Sequence, residues 1–457
     1  MRAPTGVRPS GVRLYGEAGS LVVCGDHHAV VPLDHADPGV GSLRIYAREL
    51  RRPDLVDVEQ PYLLYLQGGP GGRAPLPGAD APKWIDWALR RYRVILLDQR
   101  GTGRSAAADR WTLPETVGPD PARQAEYLSH FRADSIVADA EVLRRRLLGD
   151  APWTVLGQSF GGFCAWTYLS FHSQGLSAVL VSGGIPPVGA GPDAVYRATH
   201  HALHRRTCEL DNAHPRARAV LADVAQHLDA TAEYLPTGER LTPARLQEIG
   251  VALGSTGGID KIAHLADDAW ALPGRRLSDT FLAGVAALIS YATQPLYALL
   301  HEAIYAEPGT VTGWSAQRVR AGLRLGEHGA RDLDGVVRLP LTGEMIYPHT
   351  VERDVTLAPL TATAHALAER EWDRPLYDPA ALARNPVPVA ARVYAEDMFV
   401  DPDLSLAAAE ATEGVRVVLD ETHHHDGLRR GPVSLLDELV ALLPDRVHPH
   451  PRPVMIS

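Results

Sequence analysis

Apolar and polar positions change rhythm twice along this chain. Residues 11 to 66 carry short β-type runs divided by turn residues: Leu21-Val22-Val23, His28-Ala29-Val30-Val31, Leu43-Arg44-Ile45-Tyr46 and Tyr62-Leu63-Leu64-Tyr65-Leu66. Residues 84–91 read as a helix, and Arg93-Val94-Ile95-Leu96-Leu97-Asp98 as a strongly apolar strand. Over 135–148 the apolar residues Ile136, Ala140, Leu143 and Leu147 recur at helical spacing, with Asp134 or Ser135 placed to cap the helix. Trp153-Thr154-Val155-Leu156 and Ala178-Val179-Leu180-Val181 are strands of buried type, and the Ala-, aromatic- and Leu-rich stretch 162–172 between them is a buried helix. Strand and helix in alternation predict a mostly parallel sheet with helices on both faces.

The rhythm changes after Gly183-Gly184-Ile185-Pro186-Pro187. From about 190 to 380 the chain is rich in Ala, Leu, Arg and Glu with few β-branched runs, which predicts helices and long loops. Strand character returns at 387–394 and 415–419, and 428–443 predicts a final amphipathic helix. The simplest organisation is a sheet domain in two parts, 1–188 and 385–457, interrupted by a helical cap over 189–384. No internal repeat interrupts this pattern.

The turn between the strand at 153–156 and the helix that follows reads Gly157-Gln158-Ser159-Phe160-Gly161-Gly162. This G-x-S-x-G pattern is a nucleophile elbow, the sharp strand-to-helix turn that lifts a serine above the sheet of an α/β-hydrolase. Small residues on either side let helix and strand approach without collision. A serine at neutral pH needs a base to take its proton, and the base needs a third group to orient it. In this fold the acid follows a late strand and the histidine follows the last one. Asp397 sits just past the 387–394 strand, with Glu396 and Asp401 as alternatives. Thr422-His423-His424-His425-Asp426-Gly427 is the loop before the last helix, and His425 leads directly into that helix. Three consecutive histidines cannot easily aim at one ion, so a metal site there is disfavoured. Two backbone N–H groups must receive the oxyanion: Phe160, after the nucleophile, and Gly69, in the loop Gln67-Gly68-Gly69-Pro70-Gly71-Gly72.

Bulk properties narrow the field. A chain of 457 residues is long enough for one large core plus an inserted domain. The formal net charge of −10 and the lack of a long basic run argue against nucleic acid and anionic membrane as partners. Lys83 and Lys261 are the only lysines. Cys24, Cys164 and Cys208 form no C-x-x-C pair, so neither a disulfide framework nor a zinc knuckle is expected. Met1-Arg2-Ala3-Pro4-Thr5-Gly6 lacks the apolar core of a signal peptide, and no run of about 18 apolar residues occurs. A cytoplasmic location is the resulting expectation.

Three core motifs, Gln67-Gly68-Gly69-Pro70-Gly71, Leu97-Asp98-Gln99-Arg100-Gly101-Thr102-Gly103-Arg104-Ser105 and Gly157-Gln158-Ser159-Phe160-Gly161-Gly162-Phe163-Cys164, together resemble the proline iminopeptidases, or prolyl aminopeptidases. Arg132-Ala133-Asp134-Ser135-Ile136-Val137, Leu300-His301-Glu302-Ala303-Ile304-Tyr305 and Leu341-Thr342-Gly343-Glu344-Met345-Ile346-Tyr347-Pro348 extend the likeness to the longer subfamily, over about residues 40 to 430. The resemblance implies a serine exopeptidase that frees N-terminal proline from peptides through an acyl-enzyme on Ser159, with His425 as base and Asp397 behind it. It also implies that Glu302 and Glu344 hold the substrate's α-ammonium group and that Tyr305 belongs to the substrate-binding site. No metal or organic cofactor is implied. Two positions depart from the pattern: His349 stands where an aromatic residue is expected after Tyr347-Pro348, and the extra histidines leave His424 as an alternative base. An esterase or lactonase with the same triad, an aminopeptidase of broader specificity and a non-catalytic ligand binder are the rival readings. Cys164, five residues after the nucleophile, is expected to serve packing.

Overall fold

The computed structural model describes residues 10–16, 21–78, 80–323, 337–448 and 452–453; the Met1-to-Gly6 segment lies outside them. Nine strands form the central sheet: β1 (Ser10–Tyr15), β2 (Val22–Pro32), β3 (Ser42–Arg51), β4 (Tyr62–Leu66), β5 (Arg93–Asp98), β6 (Trp153–Gln158), β7 (Leu176–Ser182), β8 (Val389–Tyr394) and β9 (Val415–Asp420). Their spatial order is β1-β2-β3-β5-β4-β6-β7-β8-β9. The strands β4 to β9 run parallel to one another, while β1, β2 and β3 are antiparallel to their neighbours, β3 joining the parallel part through β5. The mostly parallel α/β-hydrolase sheet read from the sequence is therefore present.

Burial explains which strands were legible. β6 and β8 are buried at every position, as strands covered by helices on both faces must be, so they read as continuous apolar runs. The separate runs at 21–23 and 28–31 are one strand, β2, because the polar residues between them, Asp26 and His27, are buried rather than in a turn. Tyr46 donates to Asp26 at 2.6 Å and His27 lies 2.8 Å from Glu49, so these polar groups are satisfied inside the sheet.

Helix α1 (Ala133–Leu148) begins before both cap candidates: Arg132 is the N-cap residue, with no side-chain cap, while Asp134 and Ser135 lie in the first turn. The Arg132 side chain is committed elsewhere. It donates to the carbonyls of Ala306 at 2.7 Å and Arg374 at 2.8 Å, tying the sheet domain to the inserted block. The expected helix over 428–443 is two pieces, Gly427–Arg430 and Ser434–Ala441, because Pro432 has no N–H to donate and clashes with a continuing helix.

The long insertion between β7 and β8 is mainly helical, with small two-stranded pieces. It divides by packing. Tyr196, Leu221, Ile249, Phe281 and Met345 belong to a separate apolar core, whereas Leu299, Tyr305, Leu360 and Leu376 join the core beneath the sheet. Among the described residues no helix is long and apolar enough to cross a membrane.

Candidate active site

The parallel strands deliver their chemistry at one edge. β4, β6, β8 and β9 end in the loops that carry Gly69, Ser159, Asp397 and His425, respectively. Ligand sites in open α/β sheets form outside these carboxyl ends of the strands.

Ser159 links β6 directly to helix α2 (Phe160–His172) with φ 54° and ψ −128°, a backbone state that costs a non-glycine residue energy. The turn closes because its neighbours lack side chains. A Cβ on Gly161 would stand 1.9 Å from the Leu66 carbonyl oxygen, and one on Gly162 would stand 2.2 Å from that of Gly184. Any larger residue would push the helix off the sheet. Phe160 is the first residue of α2, so its N–H has no intrahelical acceptor and is free to bind a ligand oxygen. Gly69, at φ +131°, lines the same cavity as Ser159.

Asp397 is buried and its carboxylate is fully engaged. Oδ1 accepts N–H bonds from Phe399 at 2.8 Å and Val400 at 3.0 Å, and Oδ2 lies 2.8 Å from Nδ1 of His425. Burial alone would push the His425 imidazole down, but the Asp397 carboxylate outweighs it, helped by Glu344, and the net shift is upward. Phe399 holds the ring edge-on, with centroids 4.9 Å apart. The neighbouring histidines point elsewhere. His423 pairs with Asp420 at 3.0 Å, and His424 leaves its Nδ1 without a hydrogen bond among the described residues. Ser159 and His425 line one cavity of about 340 Å³ without a direct hydrogen bond between them.

The alternative acids have other partners. Glu396 is half-buried and lies 3.5 Å from Arg205. Asp401 caps the helix Pro402–Glu410, accepting from the Leu404 N–H at 2.9 Å. Asp401→Ala is therefore expected to lower stability by about 1 kcal/mol in a denaturant melt while turnover persists. Loss of turnover in the folded variant would return Asp401 to the list of candidate acids.

Glu344 lines the Ser159 cavity with 11% of its side chain exposed. The Tyr297 hydroxyl donates to it, and His301 Nε2 stands 3.7 Å away. Burial pushes this carboxyl up, yet His301, His425 and Tyr297 outweigh burial and hold it below the usual carboxylate range. It is an anion facing the Ser159 cavity.

Glu302 does not join it, contrary to the pairing expected above. Its carboxylate turns to the start of the helix Ser315–Gly322, where Oε1 accepts the Ala316 N–H at 3.0 Å, and it lines a separate small cavity with Thr312 and Trp314. Burial raises its pKa, only partly offset by these N–H bonds. Tyr305 is likewise outside the Ser159 cavity, packed edge-on against Phe163 with centroids 5.9 Å apart. The helix Pro295–Leu300 ends before these residues: Glu302 lies in the turn that follows and Tyr305 in the short 3-10 helix Ala303–Tyr305, so the chain's change of course carries both away from the Ser159 cavity.

A second carboxylate does reach the cavity, one that sequence reasoning passed over. Glu248 is held by Arg245 and accepts from Thr350 Oγ1 at 2.7 Å. His349 stacks on Tyr347 at 5.2 Å and approaches Glu248 to 3.3 Å, so it buttresses the floor of the cavity instead of lining it. Tyr297 and Phe399 were also missed. Cys164 is wholly buried on α2 and its thiol is pushed up by that burial.

Residues 61–205 match the family model for the alpha/beta hydrolase fold. Over 420 residues the chain is 43% identical to the proline iminopeptidase of Aeromonas sobria, covering 92% of this chain and 96% of that protein. It is 34% identical over 437 residues to the proline iminopeptidase aneH of Aspergillus aculeatus, covering 91% and 93% respectively. A shorter match, 36% identical over 118 residues, covers 26% of this chain and 31% of a probable proline iminopeptidase of Streptomyces coelicolor.

Proposed function

This chain belongs to the proline iminopeptidase family, and from that premise we propose that it releases N-terminal proline from short peptides, acting as a serine exopeptidase in the cytoplasm. The observation that carries the reading is the anionic Glu344 in the same cavity as Ser159 and the Asp397–His425 pair. An unblocked N-terminal proline is a cation at neutral pH, and an acylated one is not. A largely buried carboxylate in the Ser159 cavity selects the first over the second.

In the proposed reaction Ser159 Oγ attacks the proline carbonyl while His425 Nε2 takes the hydroxyl proton. Asp397 fixes the tautomer through Nδ1 and stabilises the imidazolium. The Gly69 and Phe160 N–H groups receive the developing oxyanion. His425 then gives the proton to the departing peptide amine, leaving a prolyl ester on Ser159. Water, deprotonated by the same imidazole, hydrolyses the ester and frees proline. The α-ammonium is two bonds from the reacting carbon, so its carboxylate partner must stand close to the triad. Glu344 does, since its charge acts on His425, whereas Glu302 is occupied elsewhere.

The test is release of a chromophoric amine from proline anilide, alanine anilide and N-acetylproline anilide, with a short acyl ester alongside. Fast cleavage of proline anilide with little on the acetylated form is expected. Ester turnover with no anilide cleavage would move the protein to the esterase reading. The pH profile adds a signature. His425 works as a base only when neutral, so kcat/KM rises through an apparent pKa above the ordinary imidazole value of about 6.5. For proline anilide it falls again, above about pH 8, as the α-ammonium loses its proton. The ester, which has no ammonium, is expected to show the first limb only.

A further inference from the structure

The Ser159 cavity is electrically lopsided. Glu344, with Tyr297 and His301 against it, makes the sheltered part negative. Lys261, Arg429 and Arg430 also line the cavity, and all three are exposed, so they form its rim. Arg430 is already paired, with Nε 3.0 Å from Asp426 Oδ2, and Asp426 is itself held by Thr256. The Lys261 and Arg429 side chains have no hydrogen-bond or ion-pair partner among the described residues. Two unpaired cations at one rim stand out in a chain with 55 acidic residues and a formal net charge of −10. Arg429 is also close enough to the reacting centre for its charge to act on the His425 imidazole.

We infer that Lys261 and Arg429 form a subsite for the free C-terminal carboxylate of di- and tripeptide substrates, an inference that rests on the iminopeptidase reading. The chemistry follows from direction. With the ammonium at Glu344 and the scissile carbonyl at Ser159, the leaving part of the peptide extends towards the rim. Each further residue spans about 3.3–3.6 Å, so a carboxylate one or two residues past the scissile bond falls within reach of long Lys and Arg side chains. A longer peptide carries its carboxylate beyond them. The cavity thus matches a short zwitterion, negative protein groups to its ammonium and positive ones to its carboxylate, and the pair of cations supplies a length preference that Glu344 alone does not.

The experiment compares Pro-Ala and Pro-Ala-Ala, each as free acid and as C-terminal amide, in the wild-type enzyme and in Lys261→Gln, Arg429→Gln and the double variant. The readout is the ratio of kcat/KM, acid over amide, which cancels any change common to both substrates. For at least one peptide length the wild-type ratio is expected to be about 10, falling about threefold in each single variant and to near 1 in the double. It should also shrink as salt rises from about 0.01 to 1 M, because exposed charges are screened. A wild-type ratio near 1 at both lengths, or a preference that survives in the double variant, overturns the subsite and leaves the iminopeptidase reading intact. Failure of the folded wild-type enzyme to cleave any of these peptides overturns that reading, and the subsite with it.

Discussion

Ser159→Ala is expected to lower kcat on proline anilide by about 10⁵- to 10⁶-fold, the scale on which loss of a nucleophile in a coupled triad is felt. The fold should survive. The Ser159 hydroxyl has no hydrogen-bond partner among the described residues, so nothing structural is lost with it, and alanine meets the same cost at φ 54° as serine does. A thermal melt beside the anilide assay separates the two effects. Retained turnover in a folded variant would show that Ser159 is not the nucleophile. Replacement of Gly161 should do the reverse, since a Cβ there meets the Leu66 carbonyl at 1.9 Å and the elbow itself must open.

That contrast shows why so much of the sheet and its strand-to-helix elbow could be read from the chain. Strands buried on both faces leave unbroken apolar runs, as at 62–66, 93–98 and 153–156, and a strained turn between packed layers admits few residues. Asp397 and His425 were legible because chain order in this fold places them after late strands, where the structure puts them 2.8 Å apart. Rules of order carry less information inside the inserted block. There Glu302 and Glu344 look alike as letters, and only three-dimensional packing shows that the first faces the N–H of Ala316 and the second faces the cavity. The end of the helix at Leu300 decides where Glu302 goes, and no pattern of apolar residues over 297–305 announces it. Glu248 offered no signal either. It reaches the cavity through Arg245 and Thr350, which lie 3 residues before it and 102 residues after it.

Glu344→Gln is expected to reduce kcat/KM for proline anilide by about 10²- to 10³-fold, within the 2–5 kcal/mol that follows removal of one partner from a desolvated charge pair. Glutamine keeps the shape and can still accept from the Tyr297 hydroxyl, so the loss isolates the charge. Glu302→Gln should cost far less. Its carboxyl is pushed towards the neutral form by burial, and a glutamine carbonyl can accept the same Ala316 N–H. The acyl ester provides the second axis, because it brings no ammonium to the cavity. On the ester Glu344→Gln should retain turnover near neutral pH but shift the acid limb. The Glu344 charge helps raise the His425 pKa, so its removal lets the imidazole stay neutral to lower pH and moves the limb in the acid direction. Equal losses on anilide and ester would instead mean that Glu344 supports the fold of the cavity. A loss confined to substrates with a free N-terminal amine, together with the displaced limb, is the pattern that only a carboxylate both facing the ammonium and acting on the catalytic imidazole produces.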